Sequence, residues 1–155
     1  MSDNTHRGTI WLVDSTLRDG EQRADVAFSF VQRAMIALML DYLGISEIEV
    51  GTPAAGPHEI KSIRSIRTLG LGCRLTGWCR ALREDLDAAE QAQLDSVHLS
   101  LPVSPVLLNA LGRTSTWAFR QLDGLLAEAR GRFEFVSVGL QDASRTQLPM
   151  LVELA

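Results

Sequence analysis

Five short apolar runs, each followed by a segment of helical periodicity, constrain this 155-residue chain more than any other feature. The runs cover residues 9–13, 47–50, 74–78, 96–101 and 133–139. They have strand length, are rich in β-branched and aromatic residues, and are bounded by turn-forming residues. Between them the apolar spacing predicts helices over residues 30–43, 58–69, 83–91 and 116–130, and a last one from about Thr146. In the first helix Val31, Met35, Leu38, Met39 and Tyr42 recur at helical intervals, and Gly44 ends it. Ile60, Ile63, Ile66 and Leu69 form the apolar face of the second. Pro102 and Pro105 predict a loop after the fourth strand.

Strand and helix alternating five times require a parallel sheet, because parallel strands are joined by crossovers and helices are the usual ones. Two α/β architectures meet that demand. A doubly wound parallel sheet is complete at this length, whereas a (β/α)8 TIM barrel takes roughly 250 residues, so the chain would be its truncated N-terminal five βα units. No Gly-rich phosphate turn follows the first strand, and polar residues stand near the carboxyl end of every strand. These are Arg18-Asp19, Glu49, Arg80, His98 to Ser100, and Asp142 to Arg145. A barrel gathers all of them around one mouth. The expected organisation is a tail over residues 1–8 and one partial barrel domain over residues 9–155.

Composition excludes several classes of partner. With 46% apolar and 22% charged residues the chain buries a sizeable core. A net charge of −4 with scattered Lys and Arg forms no basic stripe, so neither nucleic acid nor an anionic membrane surface is expected. The N-terminal residues lack a signal-length apolar stretch and no apolar run is long enough to span a bilayer, so a cytoplasmic protein is expected. Cys73 and Cys79 match no zinc spacing and are expected as free thiols.

Four motifs carry a family resemblance: Asp14-Ser-Thr-Leu-Arg-Asp-Gly-Glu-Gln22, Glu47-Ile-Glu-Val-Gly-Thr-Pro53, Val97-His-Leu-Ser-Leu-Pro-Val-Ser104 and Val138-Gly-Leu-Gln-Asp-Ala-Ser-Arg145. In this order they closely resemble the homocitrate and 2-isopropylmalate synthase family, over nearly the whole chain from Ile10. Leu71 to Leu75 with Trp78-Cys79-Arg80 looks most like the homocitrate synthases of nitrogen-fixation clusters. The resemblance implies a metal-dependent TIM-barrel acyltransferase performing a Claisen-type condensation of acetyl-CoA with a 2-oxo acid. For homocitrate synthases that acid is 2-oxoglutarate; 2-isopropylmalate or citramalate chemistry and a non-catalytic assembly subunit or incomplete product are the alternatives.

By the same resemblance, Asp19 corresponds to the carboxylate ligand of a divalent metal, Mg2+, Mn2+ or Zn2+, and Arg18 to the adjacent arginine that stabilises a developing oxyanion. Glu49 corresponds to a carboxylate near the reacting centre, and Gln22 to a position near metal and substrate. Arg80, His98, Ser100, Ser144 and Arg145 correspond to substrate-facing positions, with Arg145 gripping the distal carboxylate of 2-oxoglutarate and Asp142 organising its turn. Read as bare residues, Glu49 is equally a strand-end partner for an arginine, Arg80 a helix-capping surface residue and His98 a hydrogen-bonded core histidine. His58 sits in a helix-start pattern and is assigned no chemistry.

Departures from the pattern are Arg23-Ala24-Asp25 after Glu-Gln, and Gln141 where an acidic residue is usual. The family's paired metal-binding histidines, His-x-His, lie on a later strand, and neither His6, His58 nor His98 has that spacing. The chain is therefore expected to be inactive alone, completed by a second chain carrying the remaining strands or by homo-oligomerisation.

Overall fold

The computed structural model describes residues 10–155; the expected tail and Thr9 lie outside the described residues. Five strands form one sheet: β1 (Val13–Asp14), β2 (Glu47–Gly51), β3 (Arg74–Arg80), β4 (Ser96–Pro102) and β5 (Phe135–Gln141). All neighbours are parallel and the spatial order is β1-β2-β3-β4-β5. A doubly wound sheet reverses its strand order at a switch point. Sequential order without reversal is that of a singly wound barrel wall, which removes the doubly wound alternative.

The helices are α1 (Phe30–Tyr42), α2 (Pro57–Arg67), α3 (Arg83–Gln91), α4 (Pro105–Ala110), α5 (Ser115–Arg130) and α6 (Leu148–Leu154). Local chemistry sets their limits. Ser29 and Gln32 form a reciprocal capping box at the start of α1, and Gly44 leaves its end at φ +77°. The loop expected after Pro102 is in fact a short helix. Ser104 caps it by accepting from Leu107 N at 3.2 Å, and Pro105 occupies the first helical position, where a missing N–H costs nothing.

Alternation divides the sheet into two faces. Ile48, Val50, Cys79, Val97, Leu99 and Leu101 point outward, fully buried in one core with Ile63 and Ile66 of α2, Leu86 of α3 and Leu122 and Leu125 of α5. Each such aliphatic side chain contributes about 1.5–3 kcal/mol by leaving water. The opposite face is polar: Glu47 and Glu49 on β2, Thr76 and Trp78 on β3, Ser96, His98 and Ser100 on β4, and Ser137 on β5. At the amino ends Glu47 accepts from Trp11 at 2.9 Å, Thr76 at 2.6 Å and Arg74 at 3.3 Å, closing the floor of the lumen.

One helix reverses the expected burial. The residues read as the apolar stripe of α1, Val31, Met35, Leu38, Met39 and Tyr42, are 46–91% exposed. The helix instead buries Arg33 and Ala37, with Ile36 and Leu40 against the core. The cause is an ion pair that turns Arg33 inward. Its guanidinium reaches both Glu59 oxygens, at 2.6 and 3.0 Å, and the Val50 carbonyl at 2.5 Å. Among the described residues no helix is long and apolar enough to cross a membrane.

Candidate active site

The site begins where β1 ends. Backbone N–H groups of Arg18, Asp19 and Gly20 all donate to Ser15 O, at 3.1, 2.8 and 3.2 Å, winding the segment into a tight turn that presents Arg18. Leu17, fully buried, anchors it. Arg18 then reaches β2: Nε and Nη2 donate to Glu49 Oε2 at 2.9 and 2.6 Å, and Nη1 donates to Asp19 Oδ1 at 2.9 Å. A guanidinium has five N–H donors in a planar fork, so these bonds leave two for a ligand. The Trp78 ring lies 5.8 Å from the guanidinium carbon and provides a cation–π wall.

Glu49 and Arg18 are well shielded, with side chains 10% and 19% exposed. The strand-end pairing weighed for Glu49 is observed, with Arg18 as its partner. His98 lies on the same polar face and its Nδ1 is 2.9 Å from Ser137 Oγ. Burial, the largest influence, pushes the imidazole pKa below its ordinary value; Glu49 raises it and Arg18 lowers it. Gly139 makes room for the ring, since a Cβ there would stand 2.5 Å from His98 Nε2. The structure thus brings Arg18, Asp19, Glu49 and His98 together.

The other expected residues are more peripheral. Arg80 N, Nε and Nη2 donate to the Asp85 carboxylate at 2.8, 3.0 and 2.8 Å, and Asp85 is fully buried in the first turn of α3. Arg80 is thus ion-paired to α3 without capping it, since the N-cap is Leu82 and a guanidinium can only donate; its side chain also borders a cavity of about 400 Å3 with Trp78, Ser100, Arg113, Trp117 and Gln141. Arg145 Nε donates to Asp142 Oδ1 at 2.7 Å, with the arginine side chain 68% exposed. Asp142 adopts a left-handed backbone, φ 60°, and its carboxyl is held below the ordinary carboxylate range by the nearby Ser104 side chain and by Arg145. Its Oδ2 is buried without a hydrogen-bond partner of full geometry among the described residues. Ser144 and Gln22 are exposed.

Three contributors escaped the sequence reading. Trp78 lies in a segment noted only for its resemblance and was given no role, and Ser137 shows no signal beyond strand alternation. The Arg33–Glu59 pair joins residues 26 positions apart, and Glu21 approaches Arg33 at 3.6 Å while accepting from Phe28 N at 3.1 Å. It ties the loop after Asp19 to the end of β2. Gly51, φ +145°, is required there because a Cβ would lie 1.8 Å from Glu59 Oε1.

The donors present do not make a metal centre by themselves. Among the described residues no three His, Cys, Asp or Glu side chains are grouped to share a cation. Asp19 offers one exposed carboxylate already engaged by Arg18, whereas Mg2+, Mn2+ or Zn2+ takes four to six ligands.

The chain is 41% identical over 147 residues to a homocitrate synthase of Frankia alni, covering 94% of this chain and 42% of that protein. It is 35% identical to 2-isopropylmalate synthase 2 of Caldanaerobacter subterraneus subsp. tengcongensis, with 94% and 38% covered. It is 36% identical to homocitrate synthase subunit alpha of Clostridium pasteurianum, with 94% and 54% covered. The chain thus spans about half or less of the length of these relatives. Among solved structures, HMG-CoA lyase of Bacillus subtilis superposes with a TM-score of 0.71 at 12% identity, over 94% of this chain and 52% of that one. HMG-CoA lyase of Brucella melitensis gives 0.62 at 19% identity, over 83% and 48%. Both support the partial barrel fold. The HMGL-like family matches residues 9–155, and the chain belongs to that family.

Proposed function

We propose that the chain carries the N-terminal half of the active site of an acyltransferase that condenses acetyl-CoA with 2-oxoglutarate to give homocitrate and CoA. The observation that carries this reading is the clamped Arg18. Held by Glu49 and walled by Trp78, it keeps two N–H donors for an oxygen on which negative charge develops. In the reaction a base takes a proton from the acetyl methyl carbon, the resulting enolate carbon bonds to the ketone carbon of the 2-oxo acid, and the ketone oxygen, left as an alkoxide, takes up a proton. Water then cleaves the thioester and CoA leaves. Arg18 stabilises oxygen charge; Glu49 fixes Arg18 in orientation; His98, whose pKa burial lowers, offers an imidazole on the lumen face. Similarity to the Frankia and Clostridium homocitrate synthases supports the choice of oxo acid.

Completion of the barrel is part of the proposal. A (β/α)8 barrel has eight strands and the described residues form five. Ile10, Trp11, Leu12 and Val13 at the β1 edge are 52–78% exposed, beside the exposed face of α1. Such an edge and face call for further βα units to cover them. One relative is itself named a subunit alpha.

A second reading, 2-isopropylmalate-type chemistry with 2-oxoisovalerate, is favoured by one observation. Arg145 is bound to Asp142 and does not line the mouth cavity, whose walls include Trp78, Leu82, Leu111 and Trp117. The test is CoA release from acetyl-CoA with 2-oxoglutarate, 2-oxoisovalerate or pyruvate and Mg2+ or Mn2+, using the chain alone and then with a fragment supplying the later strands. Activity on mixing, highest with 2-oxoglutarate and reduced about 10²–10³-fold by Arg18→Ala, is expected. Preference for 2-oxoisovalerate selects the second reading, and turnover indifferent to Arg18→Ala overturns both.

A further inference from the structure

We propose that Glu21 is a positioning residue: tied to Phe28 and to the buried Arg33, it holds from outside the lumen the turn that presents Arg18 and Asp19. This rests on reading Arg18 as the reacting cation of the proposed function. Glu21 lies two residues beyond Asp19, in the short 3-10 turn Gly20–Gln22, and its carboxylate is directed to Phe28 N and to Arg33 of α1.

Three observations point to this residue. The first is where the bonds end. Arg18 donates to Glu49 of β2, whereas Arg33, 3.6 Å from Glu21, donates to the carbonyl of the next strand residue, Val50, at 2.5 Å. Arg18 and Glu21 are thus fastened to adjacent residues of one strand, Arg18 directly and Glu21 through Arg33. One tether alone would let the turn swivel about the Arg18–Glu49 contact. Two fix its orientation, and with it the direction of the two uncommitted N–H groups of Arg18.

The second observation is charge. Glu59 already balances Arg33, with both its oxygens bonded at 2.6 and 3.0 Å. Glu21 adds another carboxylate, at a distance too long for a hydrogen bond, to a cluster whose side chains are only 6–23% exposed. Two carboxylates on one guanidinium leave a net negative charge poorly solvated, which costs stability and which neutralising Arg33 does not require. The third is the loop. Backbone N–H groups of Gln22, Arg23 and Val26 donate to Asp19, Gly20 and Arg23, so these bonds stay local. Glu21 Oε1 instead accepts from Phe28 N at 3.1 Å, joining the start of the loop to its end just before Ser29 caps α1.

The test uses the full chain. Glu21→Ala should free the loop, so that trypsin cuts the exposed Arg23–Ala24 bond, followed by mass spectrometry, at least about tenfold faster than in the parent. Glu21→Gln keeps an acceptor for Phe28 N and should be cut within about threefold of the parental rate. The coupling between Arg18 and Glu49 is then measured by urea unfolding of Arg18→Ala, Glu49→Gln and the double variant, and measured again in the Glu21→Ala background, where it should lose at least about half its value. A residue that only stabilises the fold would lower every urea midpoint and leave that coupling intact. The Glu21 side chain is partly exposed, so its variants keep the fold, checked by an unchanged far-UV circular dichroism spectrum. Cleavage of Glu21→Ala at the parental rate, cleavage of Glu21→Gln as fast as Glu21→Ala, or an unchanged coupling overturns the proposal. In mixed halves Glu21→Ala should lower kcat about tenfold with KM for the 2-oxo acid within twofold. Active mixed halves with an unchanged kcat in Glu21→Ala would sink this inference and leave the proposed function standing. A coupling that depends on Glu21, in a chain whose mixed halves turn over no oxo acid, would do the reverse.

Discussion

Replacing Glu49 by glutamine keeps the side chain's shape and removes the charge that holds Arg18. Two N–H groups converge on one carboxylate oxygen at 2.6 and 2.9 Å, in a pair of side chains only 10% and 19% exposed. With charge centres about 4 Å apart and an effective dielectric of about 20, the attraction is roughly 4 kcal/mol. Desolvation of both ions takes back a large part, so a coupling energy of about 1–3 kcal/mol is expected. The assay is a double-mutant cycle: urea unfolding of the parent, Arg18→Ala, Glu49→Gln and the double variant, with m unchanged across the set. Each single change should cost about 2 kcal/mol, equivalent to roughly 4–8 °C in Tm for a chain of this size, and the double variant less than their sum. A coupling below about 0.5 kcal/mol would refute the clamp. If the clamp orients the catalytic cation, Glu49→Gln should also lower kcat of the completed barrel while leaving KM for the 2-oxo acid nearly unchanged.

Further consequences are equally measurable. Because the folded pKa of His98 lies below its unfolded value, its contribution to stability is fully present above about pH 6.5 and is lost as pH falls through the folded pKa. Urea midpoints should therefore fall between pH 7 and 5 less steeply in His98→Gln, and equal slopes would exclude the effect. Gly51→Ala places a methyl group 1.8 Å from Glu59 Oε1 at φ +145° and disturbs the buried Arg33–Glu59 pair, so a loss of about 3 kcal/mol or more is expected in denaturant unfolding. Burial pushes the thiols of Cys73 and Cys79 up to about 11 and about 12. Both should react slowly with a disulfide reagent at pH 7 in the native chain and rapidly in urea; fast native labelling would place them elsewhere.

Element type was legible because periodicity is local. The 83–91 helix was read to the residue, and the Ile63 and Ile66 face is buried as expected. Misreadings arose where one chemical signal had two meanings. Pro105 followed a strand and read as a breaker, but with Ser104 before it proline is a helix starter. The α1 stripe read as an inward face, yet the ion pair buries the opposite side, and no local rule announces a partner 26 residues away.

The candidate site divides the same way. Arg18, Asp19, Glu49 and His98 come to one rim as expected, because Arg18 and Asp19 follow β1 while Glu49 and His98 lie on one face of β2 and β4, and parallel strands point their carboxyl ends the same way. That the rim belongs to a singly wound wall was decided only by strand pairing, since both sheet types share the same order of elements along the chain. Distance in space did the rest. It assigned Arg18 to Glu49 and Arg80 to Asp85, and it left Arg113 without an ion-pair partner among the described residues. The amino-acid sequence by itself determined which residues carry charge and which strand ends display them, because side-chain chemistry and alternation are properties of the local chain. Which cation is neutralised and which stays available was decided by tertiary structure, because Coulomb energy and desolvation depend on separations that only the folded chain defines.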